Sequence, residues 1–259
     1  MRRIRRILLL LALLGALPLS AAQEIVIATQ NYTPYVCWIN SPTHPGFLVE
    51  LLRMIYPKPQ YNLRIVHQSW EWSRRNLNRG RLHAIIGMTR ADAPYLIYPS
   101  TPAFTLRYGL YVPVDTPLRR YTGPDDLLRL MRKGFLRNES FTDDLDRFTR
   151  DHQKDGSIVF YSSAGDTPRM MRDLLSGYLE AFITTTAAAD WAYSRRNDFP
   201  ETKIVLLTPL GEEQTYWIGF SNQKKESRAL AKRFDSEMKR ISRTPAYRRL
   251  QKKYGLFHP

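Results

Sequence analysis

Short strand-like segments alternate with amphipathic helical segments along the first third of the chain. The strand-like segments, rich in β-branched residues, are residues 24–30 (EIVIATQ), 61–68 and 82–88. A helix with apolar residues at helical spacing follows Gly46, and another, capped by Ser69, ends at Gly80. This order requires right-handed crossovers and predicts a mostly parallel sheet, in which ligands bind beyond the carboxyl ends of the strands. The turns after Gln30 and Met88 are therefore the first places to expect a site.

The same pattern recurs after a break, which favours two lobes over one. Its strand-like segments are residues 107–114, 157–161 and 179–184. Residues 125–133 are typical of a helix, and a further helix begins at Pro168 and ends at Gly177. Two helices at the carboxyl end of the chain carry apolar stripes, which we expect to pack on the core of the first lobe.

The first 22 residues have the layout of a secretory signal peptide. Four arginines are followed by an apolar run over residues 7–19 and by Ser20-Ala21-Ala22, which predicts cleavage after Ala22. The alternative, an uncleaved membrane anchor, is less favoured because the apolar run is short for a span. No later stretch has the roughly 20 apolar residues that a span requires, so we expect a periplasmic mature protein without a membrane span.

The chain is strongly basic. Its formal net charge is +15, and the arginines of the first 22 residues account for four of those charges, leaving +11. One interpretation is a binding protein for an anionic envelope polymer or nucleic acid. An ordinary basic surface is favoured, because the cations are spread at helical spacing apart from a C-terminal concentration, and we expect no nucleic-acid partner. The single cysteine, Cys37, excludes an internal disulfide, and we expect it to be a small buried residue.

Six short motifs occur in a particular order after the leader. They are Tyr32-Thr33-Pro34-Tyr35, Gly46 to Leu51 (GFLVEL), Trp70 ten residues before Gly80-Arg81-Leu82, Pro99-Ser100-Thr101-Pro102, Gly134 to Phe141, and Tyr216 to Phe220 (YWIGF). With these motifs the chain resembles the bacterial extracellular solute-binding proteins of the amino-acid-binding type (family 3), across essentially the whole mature chain. No single motif is specific, and it is their order and spacing together that carry the resemblance.

The resemblance implies an α/β fold of the two-lobed, periplasmic-binding-protein-like type II, with a mostly parallel sheet flanked by helices in each lobe. Residues 23–108 and 218–259 would form lobe 1, and residues 109–217 lobe 2. Two hinge crossings, near Arg107–Tyr111 and Gln214–Ile218, would let the lobes close over a small polar ligand. We expect a monomer that serves uptake or sensing, and the resemblance implies an inner-membrane ABC permease as its docking partner.

Two charged positions that hold an amino acid in this family are replaced here. The position of the carboxylate-binding arginine falls on Ala93 or Pro94, and that of the ammonium-binding aspartate falls on Thr185. Arg90 is either a displaced substitute for that arginine or a surface charge. An α-amino acid is therefore predicted to be a poor ligand. The residues that would suit a neutral or anionic polar molecule better are Thr89, Arg90, Ser140 and Thr185.

Two aromatic residues match family positions that pack against the ligand. These are Tyr32 and Trp70, whose ring faces would exclude water from a cleft, and ordinary core packing is the alternative for both. Ser140 matches a position at a helix N-terminus, where a hydroxyl and backbone N–H groups suit an anion. A plain N-cap is the alternative for Ser140, and the two roles are compatible.

An exported enzyme on the same fold, similar to dehydratases, is the main alternative and would need an acid or base in the cleft. Glu50 and Glu180 are the nearest acids, but their positions are typical of structural residues, as is that of His83. The sequence has no Ser-His-Asp pattern in a credible context, no His-x-x-x-His and no Gly-rich phosphate loop. We therefore predict a binding protein, with no catalytic residue, no cofactor and no metal.

Overall fold

A computed structural model describes residues 22–37, 41–137, 139–194 and 203–256. The predicted signal peptide lies outside this part of the chain apart from Ala22, so its cleavage stays a prediction. Within the described ranges, no helix is long and apolar enough to cross a membrane.

Eight strands of the described residues form one sheet that runs through both lobes. They are β1 (Gln23–Thr29), β2 (Tyr61–His67), β3 (Ala84–Met88), β4 (Phe104–Pro113), β5 (Lys133–Leu136), β6 (Ile158–Tyr161), β7 (Ala181–Thr185) and β8 (Ile204–Phe220). Their order in the sheet is β2-β1-β3-β8-β4-β7-β5-β6. At one end β1 is parallel to β2 and β3, and at the other β5 is parallel to β6 and β7. The long strands β4 and β8 are antiparallel and join the two halves.

The α-helices of the described ranges connect and cover the strands. They are α1 (Phe47–Ile55), α2 (Trp70–Asn78), α3 (Asp143–His152), α4 (Thr167–Leu175), α5 (Thr186–Ser194), α6 (Ser227–Ile241) and α7 (Pro245–Lys253). The helix predicted over residues 125–133 is instead a 3-10 helix, Pro124–Arg129, and β5 begins at Lys133. Leu127 and Leu130 are both buried there, and their three-residue spacing suits the three residues per turn of a 3-10 helix.

Two separate hydrophobic cores mark the two lobes. The first contains Leu48 and Phe234, and the second contains Phe135 and Phe182. Along β4 the core changes between Leu106, which belongs to the first, and Tyr108, which belongs to the second. The β4–β8 ladder also shifts register there, because Leu106 faces Gln214 whereas Tyr108 faces Leu210. The predicted two-lobed α/β fold with mostly parallel strands in each lobe is confirmed.

The two C-terminal helices pack on the first core, as their apolar stripes predict. Phe234 of α6 and Tyr254 after α7 have no exposed surface, and burying a side chain of this size contributes about 1.5–3 kcal/mol. Glu50 in α1 accepts hydrogen bonds from the Tyr254 hydroxyl and the Lys253 ammonium, each at 2.6 Å. Glu50 therefore holds the carboxyl end of the chain against the first lobe.

Candidate functional site

A cleft of about 1710 Å³ lies between the two lobes. Residues 30–32 after β1 and residues 65–71 at the end of β2 line it from the first lobe. Arg137 and Glu139 after β5, and Ser162 after β6, line it from the second lobe. All of these segments lie at the carboxyl ends of parallel strands, where sheets of this type place their ligands. The turn after β1, which the sequence predicted as a place for a site, lines this cleft, and ligand binding there stays a prediction.

Tyr32 lies on the wall of the cleft within an aromatic cluster. Its ring centroid is 5.5 Å from that of Phe104 and 6.4 Å from that of Tyr216, and Phe104 stacks on Tyr216 at 5.3 Å. The ring also lies against Gly87, where a Cβ atom would be 2.6 Å from a ring carbon. Gly87 has a φ of +88°, which favours glycine in any case. Tyr32 thus faces the cleft and is packed at the same time, while its role in binding stays a prediction.

Trp70 begins α2 and also lines the cleft. Ser69 caps this helix by accepting a hydrogen bond from the backbone N–H of Trp72 at 3.4 Å. The Trp70 ring is half-buried against a small core on the same lobe that contains Ala28 and Leu77. The helix start therefore brings an aromatic face to the cleft opposite the second lobe.

Arg90 is engaged away from the cleft. Its Nη2 donates to the carbonyl of Pro99 at 3.0 Å, and its guanidinium lies 4.8 Å from the centroid of the Trp217 ring. Arg90 is not among the residues that line the cleft. Of its two alternatives, these contacts favour a structural charge over a ligand-binding one.

Thr185 and Thr89 do not line the cleft either. Thr185 is buried, and its hydroxyl accepts the backbone N–H of Ala188 at 3.2 Å, at the start of α5. The Thr89 hydroxyl donates to the Asp92 carboxylate at 2.5 Å. Both hydroxyls are thus occupied by local partners, and these contacts do not support the hypothesis that they hold a ligand.

Ser140 lies at the cleft near the N-terminus of α3, but carboxylates of the chain already occupy that helix end. The Ser140 hydroxyl donates to Asp146 Oδ2 at 2.5 Å, and the backbone N–H of Phe141 donates to Asp146 Oδ1 at 2.9 Å. The first turn of α3 also carries Asp143 and Asp144. These acids compensate the positive end of the helix dipole, so an incoming anion would meet like charge. These contacts do not support the anion site expected at Ser140, which stays a prediction.

The second helix end at the cleft is occupied in the same way. Asp166, just before α4, accepts the backbone N–H groups of Ser162 at 2.9 Å and Ser163 at 3.3 Å through one carboxylate oxygen. Ser162 and Ser163 both line the cleft. Each helix end that the second lobe presents to the cleft therefore already carries an acid of its own.

Glu139 is the acid that sequence reasoning missed. It lies three residues after the end of β5, lines the cleft and is half-buried. Its Oε2 accepts a hydrogen bond from the Tyr108 hydroxyl at 2.7 Å, and burial raises the pKa of its carboxyl group despite that bond. Its place directly after a strand of the second lobe was a signal that could have found it.

The other candidate acids lie elsewhere. Glu50 is bound to Tyr254 and Lys253, and Glu180 precedes β7, at the end of that strand away from the cleft. The Glu180 carboxylate accepts the backbone N–H of Met131. Both acids are structural, as their sequence positions predicted.

A second carboxylate, Asp92, lines the cleft from the first lobe. Burial raises the pKa of Tyr216 to about 12, and the negative charges of Glu139 and Asp92 act in the same direction. Burial, followed by the charge of Glu139, likewise raises the pKa of Tyr32 and Tyr108. Glu139 and Asp92 therefore lie close enough to Tyr216 to influence it, one from each lobe.

Cationic side chains lie at the edge of the cleft. Arg74 and Arg137 are both exposed, and the Arg137 guanidinium lies 5.2 Å from the centroid of the Phe160 ring. None of the ion pairs formed by the described residues involves Glu139 or Asp92. The same part of the chain has no group of three or more His, Cys, Asp or Glu side chains placed to hold a metal ion.

Comparison with known proteins gives a fold likeness without a sequence match. No model of a protein family matches the chain, and no curated protein does. An ancestral arginine-binding protein bound to arginine matches with 16% identity and a TM-score of 0.63, over 89% of this chain and 97% of that chain. A periplasmic binding protein of Salmonella typhimurium, described for its high arginine specificity, matches with 18% identity and a TM-score of 0.60, over 90% and 99%.

A histidine kinase sensor domain with similarity to periplasmic binding proteins matches as well, with 16% identity and a TM-score of 0.62, over 90% of this chain and 96% of that chain. At such identities the likeness shows the fold. The chain has the two-lobed fold of periplasmic solute-binding proteins.

Proposed function

We propose that this chain is an exported solute-binding protein whose two lobes close over a small polar molecule. The observation that carries the proposal is the cleft itself. Its walls come from the strand ends of both lobes, and two long strands connect those lobes through a register shift next to Leu106. Such an arrangement suits a hinge that encloses a ligand and removes it from water.

The size of the cleft supports closure. Its volume of about 1710 Å³ exceeds the roughly 300–1,000 Å³ of a typical small-molecule site. A hinge rotation that brings Glu139 towards the first lobe would reduce it to that range. The cleft as described would then be the open form.

The cellular location and the partner of the proposed binding protein are inferred from the sequence. The leader over residues 1–22 supports export to the periplasm, and the family resemblance supports a monomer that docks on an inner-membrane ABC permease. The likeness to a kinase sensor domain supports sensing as the other route. We keep the lobe limits from the sequence, residues 23–108 with 218–259 and residues 109–217, as part of this proposal. The change of core between Leu106 and Tyr108 supports a boundary near the first of these limits.

We propose that standard α-amino acids are poor ligands, although two of the similar structures are arginine-binding proteins. The positions matched to the carboxylate-binding arginine carry Ala93, which is buried, and Pro94. At the position matched to the ammonium-binding aspartate, the hydroxyl of Thr185 accepts a backbone N–H at the start of α5. An α-carboxylate would enter the cleft without its usual partner, so we expect Kd values above about 1 mM.

Closure can be tested at a contact between the lobes, where Gly165 of the second lobe, which does not line the cleft, lies against Asn31 of the first. A Cβ atom on Gly165 would be 2.7 Å from Asn31 Nδ2, so the two rims meet there. Gly165→Phe should hold the lobes apart, whereas Gly123→Phe, with nothing within 4 Å of the added Cβ, is the matched control. Small-angle scattering with a ligand found by a thermal-shift screen should show compaction for the wild type and the control only. A saturating ligand that leaves the radius of gyration of the wild type unchanged would refute the proposal.

An exported enzyme remains a second candidate, because Glu139 is an acid in the cleft whose pKa is raised by burial. An enzyme would convert its bound ligand, and a binding protein would release it intact. Mass spectrometry of the ligand after prolonged incubation with the protein separates the two, with Glu139→Gln as the variant expected to abolish any conversion. Recovery of unchanged ligand excludes the enzyme.

A binding protein for an anionic polymer is the remaining alternative, and only the basic net charge supports it. The acids that line the cleft and those at its helix ends do not suit such a partner.

A further inference from the structure

We infer that the cleft binds a ligand through a cationic nitrogen group, an ammonium or a guanidinium, placed between the carboxylates of Glu139 on the second lobe and Asp92 on the first. The inference rests on the proposed function and names the chemical class of its ligand. It replaces the expectation of a neutral or anionic polar molecule, which depended on Thr89, Arg90, Ser140 and Thr185.

Glu139 supplies the first half of the site. One of its carboxylate oxygens accepts the Tyr108 hydroxyl at 2.7 Å, and no hydrogen bond of the described residues uses the other oxygen. The side chain is half-buried and no described cation pairs with it. A carboxylate in such surroundings loses hydration without gaining a partner, and a cationic ligand would supply that partner.

Asp92 supplies the second half from the opposite lobe. Its Oδ2 accepts the Thr89 hydroxyl, which fixes the side chain at the cleft while leaving Oδ1 without a described hydrogen bond. Closure of the lobes would bring two like charges together, which opposes closure in the absence of a ligand. A cation between them reverses the sign of that interaction, so binding and closure favour each other.

The aromatic cluster fits the same ligand. The ring of Tyr32 lies on the cleft wall, and the half-buried ring of Tyr216 lies where both carboxylates influence its hydroxyl. Aromatic faces attract ammonium and guanidinium groups, and more strongly when water is excluded. Carboxylates and tyrosine rings together form a site for a cation with apolar methylene groups attached.

The placement of charges in the cleft disfavours an anion. Asp146 and Asp166 lie at the two helix ends that the second lobe presents. Arg74 and Arg137 also line the cleft, and both are exposed. The chain as a whole carries +15, so the carboxylates of Asp92 and Glu139 in the cleft lining run against its overall charge.

Calorimetry with a matched set of probes tests the inference. Agmatine carries a guanidinium and an ammonium group without a carboxylate, arginine adds the carboxylate, and 1,4-butanediol and succinate are the neutral and anionic counterparts. Agmatine should bind at least tenfold more tightly than each of the other three. Glu139→Gln should weaken agmatine by about 10- to 100-fold, and Asp92→Asn by about threefold or more, as expected when a charge-assisted hydrogen bond is lost. Glu237→Gln, which removes a carboxylate on α6 away from the cleft, should change the affinity less than twofold.

The outcomes separate the inference from the proposed function. Binding and compaction with 1,4-butanediol or succinate but not with agmatine would overturn the cation site and leave the closing cleft intact. Agmatine binding that Glu139→Gln and Asp92→Asn leave unchanged would overturn the cation site as well. If neither the four probes nor a wider thermal-shift library yields a ligand, the proposed function falls together with the inference.

Discussion

The two sides of the cleft are built differently. The first lobe offers aromatic rings that are tightly packed, since Tyr32 lies against Phe104, Tyr216 and the bare backbone of Gly87. The second lobe offers carboxylates, with Glu139 at the floor and Asp146 and Asp166 at the helix ends. Rigid aromatic packing therefore belongs to the first wall, whereas the half-buried carboxylate of Glu139 belongs to the second. The carboxylate that lines the first wall, Asp92, is exposed.

The largest expected effect concerns the packing of the first wall. Gly87→Ala adds a Cβ atom 2.6 Å from the Tyr32 ring at a φ of +88°, so the ring must move and the backbone is strained. We expect a loss of about 2–4 kcal/mol in the free energy of unfolding, measured by urea denaturation. Gly156→Ala on the second lobe is the control, because its φ is +79° but nothing lies within 4 Å of the added atom.

The control should cost only about 1 kcal/mol, the ordinary cost of left-handed backbone for a residue with a side chain. Equal losses in the free energy of unfolding of the two variants would show that the Tyr32 ring moves aside at little cost. The first wall would then be no more rigid than the second.

A smaller change in stability is expected at His83, which forms a hydrogen bond to β1 within the first lobe. Its Nδ1 accepts the backbone N–H of Val26 at 3.0 Å, and its Nε2 lies 3.1 Å from Glu226. His83→Ala would leave the partly buried N–H of Val26 without this partner and should cost about 1–3 kcal/mol at pH 8. His152→Ala on the second lobe, whose ring is one-third exposed beside Asp155, should cost at most about 0.5 kcal/mol.

The pH dependence of the first lobe follows from the same histidine. Burial lowers the pKa of His83, Lys224 lowers it further, and the nearby Glu226 and Glu24 oppose the shift. The unfolded chain therefore binds the proton more readily, and stability falls as the pH drops below about 6.5 towards the lowered folded pKa. His83→Ala should lose this dependence in denaturation curves recorded between pH 5 and pH 8. An unchanged slope in the variant would assign the pH dependence to another group.

The sequence predicted the position of the cleft in the fold better than the roles of its charged residues. The strand order pointed to the turn after β1, which lines the cleft, because the rules of parallel sheets depend on local pattern. Tyr32 was predicted from the family resemblance, and it also lies on the cleft wall. Arg90 could not be judged in this way, since its partners are a carbonyl nine residues away and the ring of Trp217 on β8. Glu139 was missed for a similar reason. Its environment is set by Tyr108, 31 residues earlier on β4, and no local pattern shows that contact.

The smallest expected change in stability, that of Glu139→Gln, is the sharpest test of the difference between the two walls. Most substitutions destabilise a protein, whereas this one is expected to stabilise it. Glu139→Gln keeps an acceptor for the Tyr108 hydroxyl but removes a half-buried charge that has no described cation beside it. Without ligand, the variant should therefore be more stable at pH 7, by about 1 kcal/mol or roughly 2–4 °C in Tm. The pKa of Glu139 is raised by burial, so the gain should shrink as the pH falls and vanish below the ordinary carboxyl value of about 4.3, where the acid is protonated in both states.

Glu50→Gln on the first lobe should do the reverse and lose a few tenths to about 1 kcal/mol, since Glu50 is paired with Lys253. A Glu139 variant that is less stable than the wild type at pH 7 would mean that the carboxylate already has its partner within the fold. A stabilised variant that no longer binds a cationic probe would instead identify Glu139 as a residue whose cost in stability is offset only by its ligand.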